Sequence, residues 1–570
     1  MKRFTRRIFA LSVLATVVAL VVAACGGGDP TATSRPAPTV AAATATPVPA
    51  ASAVPEAVVG AVPDFPDAKY GGTLIRAKSS EGPGWDGHVE RTENTHDIVD
   101  LAYDQIVMVD PHDELSGMVP QLADSWEVGS DGLTYTFNIH PGVKFHNGND
   151  LTASDFRFTY EDVVLNPPEG VRSIQKGLFA SAESVSTPDD LTVVVHLSEP
   201  NAAFLTIIGF GRMHIFDEQF IAAEGRDRMQ QWPPMGTGPF MGEAGSWEKG
   251  VSVEVFKNPN YFVEGRPFLD GQKFFFIPDK GTRVAAFLTG QLNFGVRPTV
   301  DEAKEMVSKM GADVFIQKKS TTTFTSMDLD TSNPPFNDVR VREAAAWAID
   351  KQGMADAVLQ GLAVFGGTII PGSGWDLPAE ELATFAGYSG TREENIAKSK
   401  ALLAEAGFAN GFEADVWSRQ HPAYVDHSVA ARAMLEDVGI TGEIVFAEQA
   451  VFFANQRNHE TWDIQTGGHR YNGTDPNFQL PEYWLEGGPR NLAGWSSPEI
   501  GDLYNQQNRE LDPAKRKLLV NEIERLALGS YASIIYYYSV GQYAWTSNIK
   551  NYFTHSAYKA NQQFRDVWME

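Results

Sequence analysis

Leu133, Tyr135, Phe137 and Ile139 alternate with polar residues, which predicts a strand with one buried face. Asp131-Gly132 before the run and Pro141-Gly142 after it act as punctuation. Val143-Lys144-Phe145 resumes, and Asn147-Gly148 marks a tight turn. Thr152 and Asp155 then stand at capping-box spacing, ahead of Phe156, Tyr160 and Val163 at helical intervals. Residues 124–165 therefore read as strand, hairpin, strand and capped helix.

The same two periods recur along the chain. Tyr70-Gly71-Gly72 leads from a loop into a strand, 191–197 and 251–256 alternate, and 274–277 is short and almost wholly apolar, as an internal strand is. A helix is expected over 282–288, ended by Gly290. Beyond 324 helical patterns dominate. Val339, Val341, Ala344, Ala345, Ala348 and Ile349 make a small-residue face. Thr391 and Glu394 form a second capping-box pair before Ile396, Leu403 and Ala406, with Gly407 as the stop. Another helix spans 429–438 before Gly439. Asp512-Pro513 caps a long one with Leu518, Leu519, Ile523 and Leu526 on its apolar face, and 534–538 reads as a late strand. Strands and helices mix throughout and no repeat is visible, so the class is α/β rather than a solenoid or propeller.

The first residues follow another logic. Lys2, Arg3, Arg6 and Arg7 precede an apolar run, Ile8 to Cys25, that closes in Val22-Ala23-Ala24-Cys25. A basic start, an apolar core and small residues at the end make an export signal over 1–24. The cysteine at its edge resembles the lipobox of bacterial lipoproteins, where cleavage leaves an acylated N-terminal Cys; Cys25 is thereby expected to anchor the chain. Thr5-Arg6-Arg7-Ile8-Phe9 also resembles the twin-arginine motif, so both export routes stay open. Cys25 is the only cysteine, which excludes disulfides within one chain. Residues 25–67 are Ala-, Pro- and Thr-rich and carry no apolar face, as suits a tether. Extended, it would reach on the order of 100 Å.

Charge narrows the partners. The chain carries −26, and removing the leader's four basic residues leaves it near −30. Nucleic acid and anionic lipid surfaces are disfavoured as bulk partners. Catalytic signals are missing: there is no His-Glu-x-x-His, no cysteine pair and no Gly-x-Ser-x-Gly. His140 and His146 are separated by Pro141-Gly142, and His421 and His427 miss an i, i+4 spacing. Aromatic residues with polar anchors point instead to a pocket for a polar organic ligand, with Trp417 and Trp495 as candidates beside Trp85 in a Gly-rich loop. The richest stretch is the expected loop 467–476, GGHRYNGTDP, which follows a predicted strand Trp462–Gln465 and supplies Arg470, Tyr471, Asn472 and Asp475.

With these residues in view the chain resembles the family 5 extracellular solute-binding proteins, the peptide, dipeptide and nickel receptors of ABC importers. The block Leu133 to Gly148 with Leu151 to Phe156 is the most specific. Gly71-Gly72-Thr73-Leu74, Gly236 to Phe240, Asn258 to Phe262, Pro335 to Arg342 and Ala348-Ile349-Asp350 follow in family order. The resemblance implies a two-lobed fold of the type II periplasmic-binding-protein kind, with an extra inserted domain and a ligand cleft between lobes. It implies a first domain at 68–110, 235–325 and 525–570, an inserted domain at 111–234, and a second lobe at 326–524, hinged near 325 and 525. It also implies a monomeric, non-enzymatic receptor without cofactor or bound metal. The receptor would be lipid-anchored at the outer face of the cytoplasmic membrane or in the periplasm, and would pass a small peptide or similar polar solute to a permease. In peptide-binding members an Asp of the loop matching 467–476 meets the ligand's amino terminus. The nearest match here is Asn472, with Asp475 three residues on. A neutral anchor in that place keeps oligosaccharide, opine and metal-chelate receptors open beside peptide, and an exported hydrolase is the more distant alternative.

Overall fold

The computed structural model describes residues 65–110, 117–210, 212–471, 473–555 and 564–570. The leader, Cys25, the tether to residue 64 and Asn472 lie outside the described residues.

Four strands form a first sheet in the order Thr73–Lys78, Gly271–Phe276, Ser252–Lys257, Phe240–Glu248, with the first pair parallel and the others antiparallel. A second, antiparallel sheet runs Ala123–Val128, Thr134–Ile139, Thr192–Leu197, Ala182–Asp189. Tyr135, Phe137 and Ile139 face its core as the alternation requires, against Phe156, Tyr160, Phe179 and Phe204. The predicted capping box at Thr152 and Asp155 is formed, as is that at Thr391 and Glu394.

The third sheet joins the rest. Its order is Phe294–Val296, Ser533–Thr546, Val314–Leu329, Ile464–Arg470, Val416–Arg419, Ile444–Ala447. Val314–Leu329 and Ser533–Thr546 are its two long strands, of 16 and 14 residues, and they pair antiparallel. Their pairing slips between Ser320 and Phe324. On one side of the slip, Ile316 and Ala544 pack with Val284, Phe287 and Met306. On the other, Met327, Leu329, Ile534 and Tyr536 pack with Val341, Ala344 and Ala348. Two cores are thus joined by a pair of strands whose ladder is interrupted midway. The position 525, expected as a boundary, falls inside the helix Pro513–Ser530.

Three local expectations change. The helix Pro513–Ser530 buries Arg516, Val520, Ile523 and Ala527, and Leu518 is 68% exposed, because it sits about 200° round the helix from Arg516. Val339 is exposed at the first position of its helix, while Ala344, Ala345 and Ala348 are buried. The strand predicted over Trp462–Gln465 is Ile464–Arg470 instead, so Gly467 to Arg470 belong to a strand and not to a loop. Pairing with the long strand imposes this: Thr323 to Ser326 face Arg470 to Gly467 in register. Gly468 is needed there, since a Cβ would sit 2.5 Å from the Tyr424 ring.

Candidate functional site

The strand Ile464–Arg470 borders a cavity of about 350 Å³. Gly467, Gly468 and His469 form one wall, and Arg419 and Tyr424 another. Phe452, Phe453, Arg490 and Leu492 contribute further lining. The volume suits a small organic solute.

Each wall has a local cause. Val416–Arg419 runs parallel to Ile464–Arg470, which puts Arg419 at the strand's C-terminal end, next to the cavity. Its guanidinium lies 4.6 Å from the Tyr424 ring centre and 5.3 Å from that of Phe453, and it has no carboxylate partner among the described residues. Two aromatic faces hold the cation while its donors stay available. Arg490, by contrast, is paired with Glu482 at 3.0 Å and donates to the Tyr483 hydroxyl at 3.1 Å. Burial pushes the Tyr483 phenol up to about 12, so it remains a neutral hydrogen-bonding group at neutral pH. His469 is buried, stacks on Phe324 with ring centres 5.0 Å apart, and has Nε2 3.4 Å from Asp328 Oδ2. The cavity therefore offers one unneutralised cation, apolar faces and a paired cation.

The residues singled out in the sequence are distributed as follows. Trp417 is buried and stacks on Phe452 at 6.2 Å and 11°, so it backs the cavity wall without lining it. Arg470, at the end of the cavity strand, forms an ion pair with Glu93, the first residue of the helix Glu93–Val99. That helix packs with the first sheet, so the pair joins the two cores. Tyr471 is buried with its hydroxyl 3.4 Å from that of Tyr538. Burial holds its phenol far above the ordinary range. Asp475 is buried against Arg516, with both carboxylate oxygens accepting at 2.7 Å. It also accepts from the Asn477 backbone N–H at 2.9 Å. Trp495 is half-buried, edge-on to Trp484 at 6.5 Å. Trp85, which its Gly-rich loop suggested was exposed, is 2% exposed and packs on Trp232 and Trp247. Hence Arg470 lies next to the cavity and Trp417 behind it, whereas Trp85, Tyr471 and Asp475 are buried among protein partners and are not among its lining residues.

Arg419, Tyr424 and Phe453 escaped the sequence reading. The available signal was a cation two residues after Trp417, but nothing in the spacing showed that the two would share a strand or which arginine would end without a carboxylate.

Other contacts cross between the cores beside Arg470 and Glu93. Arg509 pairs with Glu199 at 2.9 Å, the Ala202 N–H donates to the Asn508 carbonyl at 2.7 Å, and Phe478 packs on Val109, Ala203 and Ile207. Among the described residues no helix is long and apolar enough to cross a membrane.

Residues 117–491 match the family model described as bacterial extracellular solute-binding proteins, family 5 Middle. The Heme-binding protein A of Haemophilus influenzae is 26% identical over 459 residues, covering 76% of this chain and 81% of that protein. The Dipeptide-binding protein of Escherichia coli is 25% identical over 437 residues, covering 71% and 78%. The solved structure of HbpA2 from Haemophilus parasuis superposes with a TM-score of 0.76 at 23% identity, over 88% of this chain and all of that one. The chain belongs to the family 5 bacterial extracellular solute-binding proteins and has their two-lobed α/β fold. It is a binding protein and not an enzyme.

Proposed function

We propose that this family 5 solute-binding protein captures a small peptide with a free C-terminal carboxylate and delivers it to the permease of an ABC importer. The observation that carries the reading is Arg419, a cation framed by Tyr424 and Phe453 in a cavity of peptide size, with no carboxylate of the protein to neutralise it. In a chain of net charge −26 such a group is a site for an anion that comes from outside. Phe453 is half exposed beside it and offers the apolar face that a peptide side chain needs. The kinship with a protein named for dipeptide binding supports the same class. Neither an oligosaccharide receptor nor a hydrolase gains support from the relatives, and His469 is the single imidazole among the cavity's described lining residues.

In this reading the lobes are 68–110, 235–325 and the end of the chain with the insertion 111–234, against a second lobe that begins near 326 and keeps the whole helix Pro513–Ser530 together with Ile534 and Tyr536. The two long strands connect them, and their slipped register between Ser320 and Phe324 is the place where bending costs least. The solute drives closure by adding contacts that only the closed form makes. Cys25 would hold the receptor near its permease.

Calorimetric titration of di- and tripeptide pools, with free and amidated C-termini, tests the proposal. Free peptides should bind and amidated ones should not, and Arg419→Ala should lower affinity at least tenfold, about 1.4 kcal/mol. Equal binding of amidated peptides, or unchanged affinity in Arg419→Ala, would overturn it.

A further inference from the structure

A second constellation lies away from the solute cavity, in the core beside the first sheet. His96 sits on the helix Glu93–Val99 and Asp100 caps that helix, so the two are four residues apart on one face. His214 arrives from a distant part of the chain and completes the group. His96 and His214 are fully buried and Asp100 nearly so. His214 Nε2 is 2.9 Å and His96 Nδ1 3.3 Å from the same oxygen, Asp100 Oδ1. The three ligating atoms all lie within 4.8 Å of one another.

The hydrogen-bond partners make this more than a cluster. His96 Nε2 lies 2.9 Å from the Glu90 carbonyl oxygen. A carbonyl only accepts, so Nε2 carries the ring hydrogen. A neutral His96 therefore turns its Nδ1 lone pair at a carboxylate oxygen, and in a buried place two such electron pairs repel. A cation between them turns the repulsion into coordination. Ligands about 2.0–2.2 Å from a tetrahedral zinc stand roughly 3.3–3.6 Å from one another. His96 Nδ1, at 3.3 Å from Asp100 Oδ1, meets that spacing, and His214 Nε2, at 2.9 Å from the same oxygen, would move outward by a few tenths of an ångström on binding. A histidine that gives its other N–H to a backbone carbonyl is also the usual outer arrangement of a metal ligand. His214 has no such outer hydrogen bond at Nδ1 among the described residues, and its ring is held by packing and by its backbone instead. Tyr103 stacks on His214 with ring centres 4.9 Å apart, and His88 Nε2 donates to the His214 carbonyl at 2.8 Å.

We propose that His96, Asp100 and His214 bind a divalent transition-metal ion of the zinc class, as a structural staple between the helix Glu93–Val99 and the segment around His214. The staple would steady the helix whose first residue, Glu93, meets Arg470 of the other core. It is independent of the solute cavity.

The test uses untagged protein stripped with a chelator, dialysed, and offered Zn²⁺ or Co²⁺ alone. One equivalent of Zn²⁺ per chain should be retained, and the melting temperature should rise by several degrees. The Co²⁺ form should show the visible absorption of a four- or five-coordinate nitrogen–oxygen site. Asp100→Asn and His214→Gln should lose the metal, while His88→Gln, a buried neighbour outside the set, should keep it. Because either ligand variant can misfold, the wild-type Co²⁺ spectrum decides by itself. Stripped wild-type protein that is folded by circular dichroism, yet takes up neither ion, overturns the proposal and leaves the three side chains sharing a proton.

Discussion

Arg470–Glu93 and Asp475–Arg516 are ion pairs whose nearer members stand five residues apart, and they do opposite things. Asp475–Arg516 lies within one core, bidentate at 2.7 Å, with side chains only 6% and 4% exposed. Gln507 accepts from the same guanidinium at 2.9 Å and Trp375 covers it at 4.6 Å. Nε, Nη1 and Nη2 of Arg516 all donate to buried acceptors. Arg470–Glu93 is more than a third exposed on the Arg side, and it joins the two cores. One pair locks the segment after the cavity strand, and the other bridges two separately packed cores, which in the proposed function open and close around the solute. The same charges serve as fixed or movable contacts according to how much water reaches them.

The sharpest way to break the contrast is Asp475→Ala. It leaves the Arg516 guanidinium buried without its counter-charge, which should cost about 3–5 kcal/mol. Urea denaturation followed by tryptophan fluorescence should show the midpoint fall accordingly. A loss below about 1 kcal/mol would place Asp475 in the same class as Arg470 and end the distinction.

The helix that carries Arg516 provides the next test, since it also buries Glu524, a carboxyl with no cation beside it among the described residues. Burial raises its pKa to about 8, even though the Ile369 and Leu377 N–H groups donate to it at 3.0 Å. The folded state thus keeps a proton that the unfolded chain releases near its ordinary pKa of about 4.3. The stability this group contributes is complete below that value, declines as pH rises, and is lost once pH passes about 8. Glu524→Gln should remove that slope between pH 5 and 8. It should also cost about 1–3 kcal/mol at pH 5, because the amide NH₂ faces one of the two donors. Denaturation curves at both pH values check the sign.

How far these roles were legible in the sequence follows from their physics. Periodicity and caps are local, so the strand at 134–139 and the helices opening at Thr152, Thr391 and Asp512 could be read directly. Leu518 was misassigned because a long helix offers several apolar stripes and only its neighbours choose one. The glycines at 467 and 468 looked like a loop because their strand is made by pairing with Thr325 and Ser326, over a hundred residues away. Residues 470 to 475 stand out in the sequence as a concentration of polar groups. Nothing in that stretch said that Asp475 would find Arg516 inside a core while Arg470 would find Glu93 across the cleft. Partner identity is a long-range property, and residue type alone does not carry it.

The smallest expected effect is the most informative about the cavity. Glu93→Gln and Arg470→Ala each remove the half-exposed pair, and each should change global stability by less than about 1 kcal/mol. If the pair acts only as a latch on the closed form, both variants weaken solute affinity by the same factor. That factor should be fivefold or less, since 1 kcal/mol is about that in an equilibrium constant. The double variant should then be no worse than either single one. If Arg470 instead turns from Glu93 to the solute on binding, Arg470→Ala loses clearly more than Glu93→Gln, and Glu93→Gln can even gain by freeing the guanidinium. Calorimetry on the three variants at low and at high salt separates the cases. A latch weakens in salt whether or not solute is charged, and small-angle scattering of the unliganded protein should show it opening in both single variants alike.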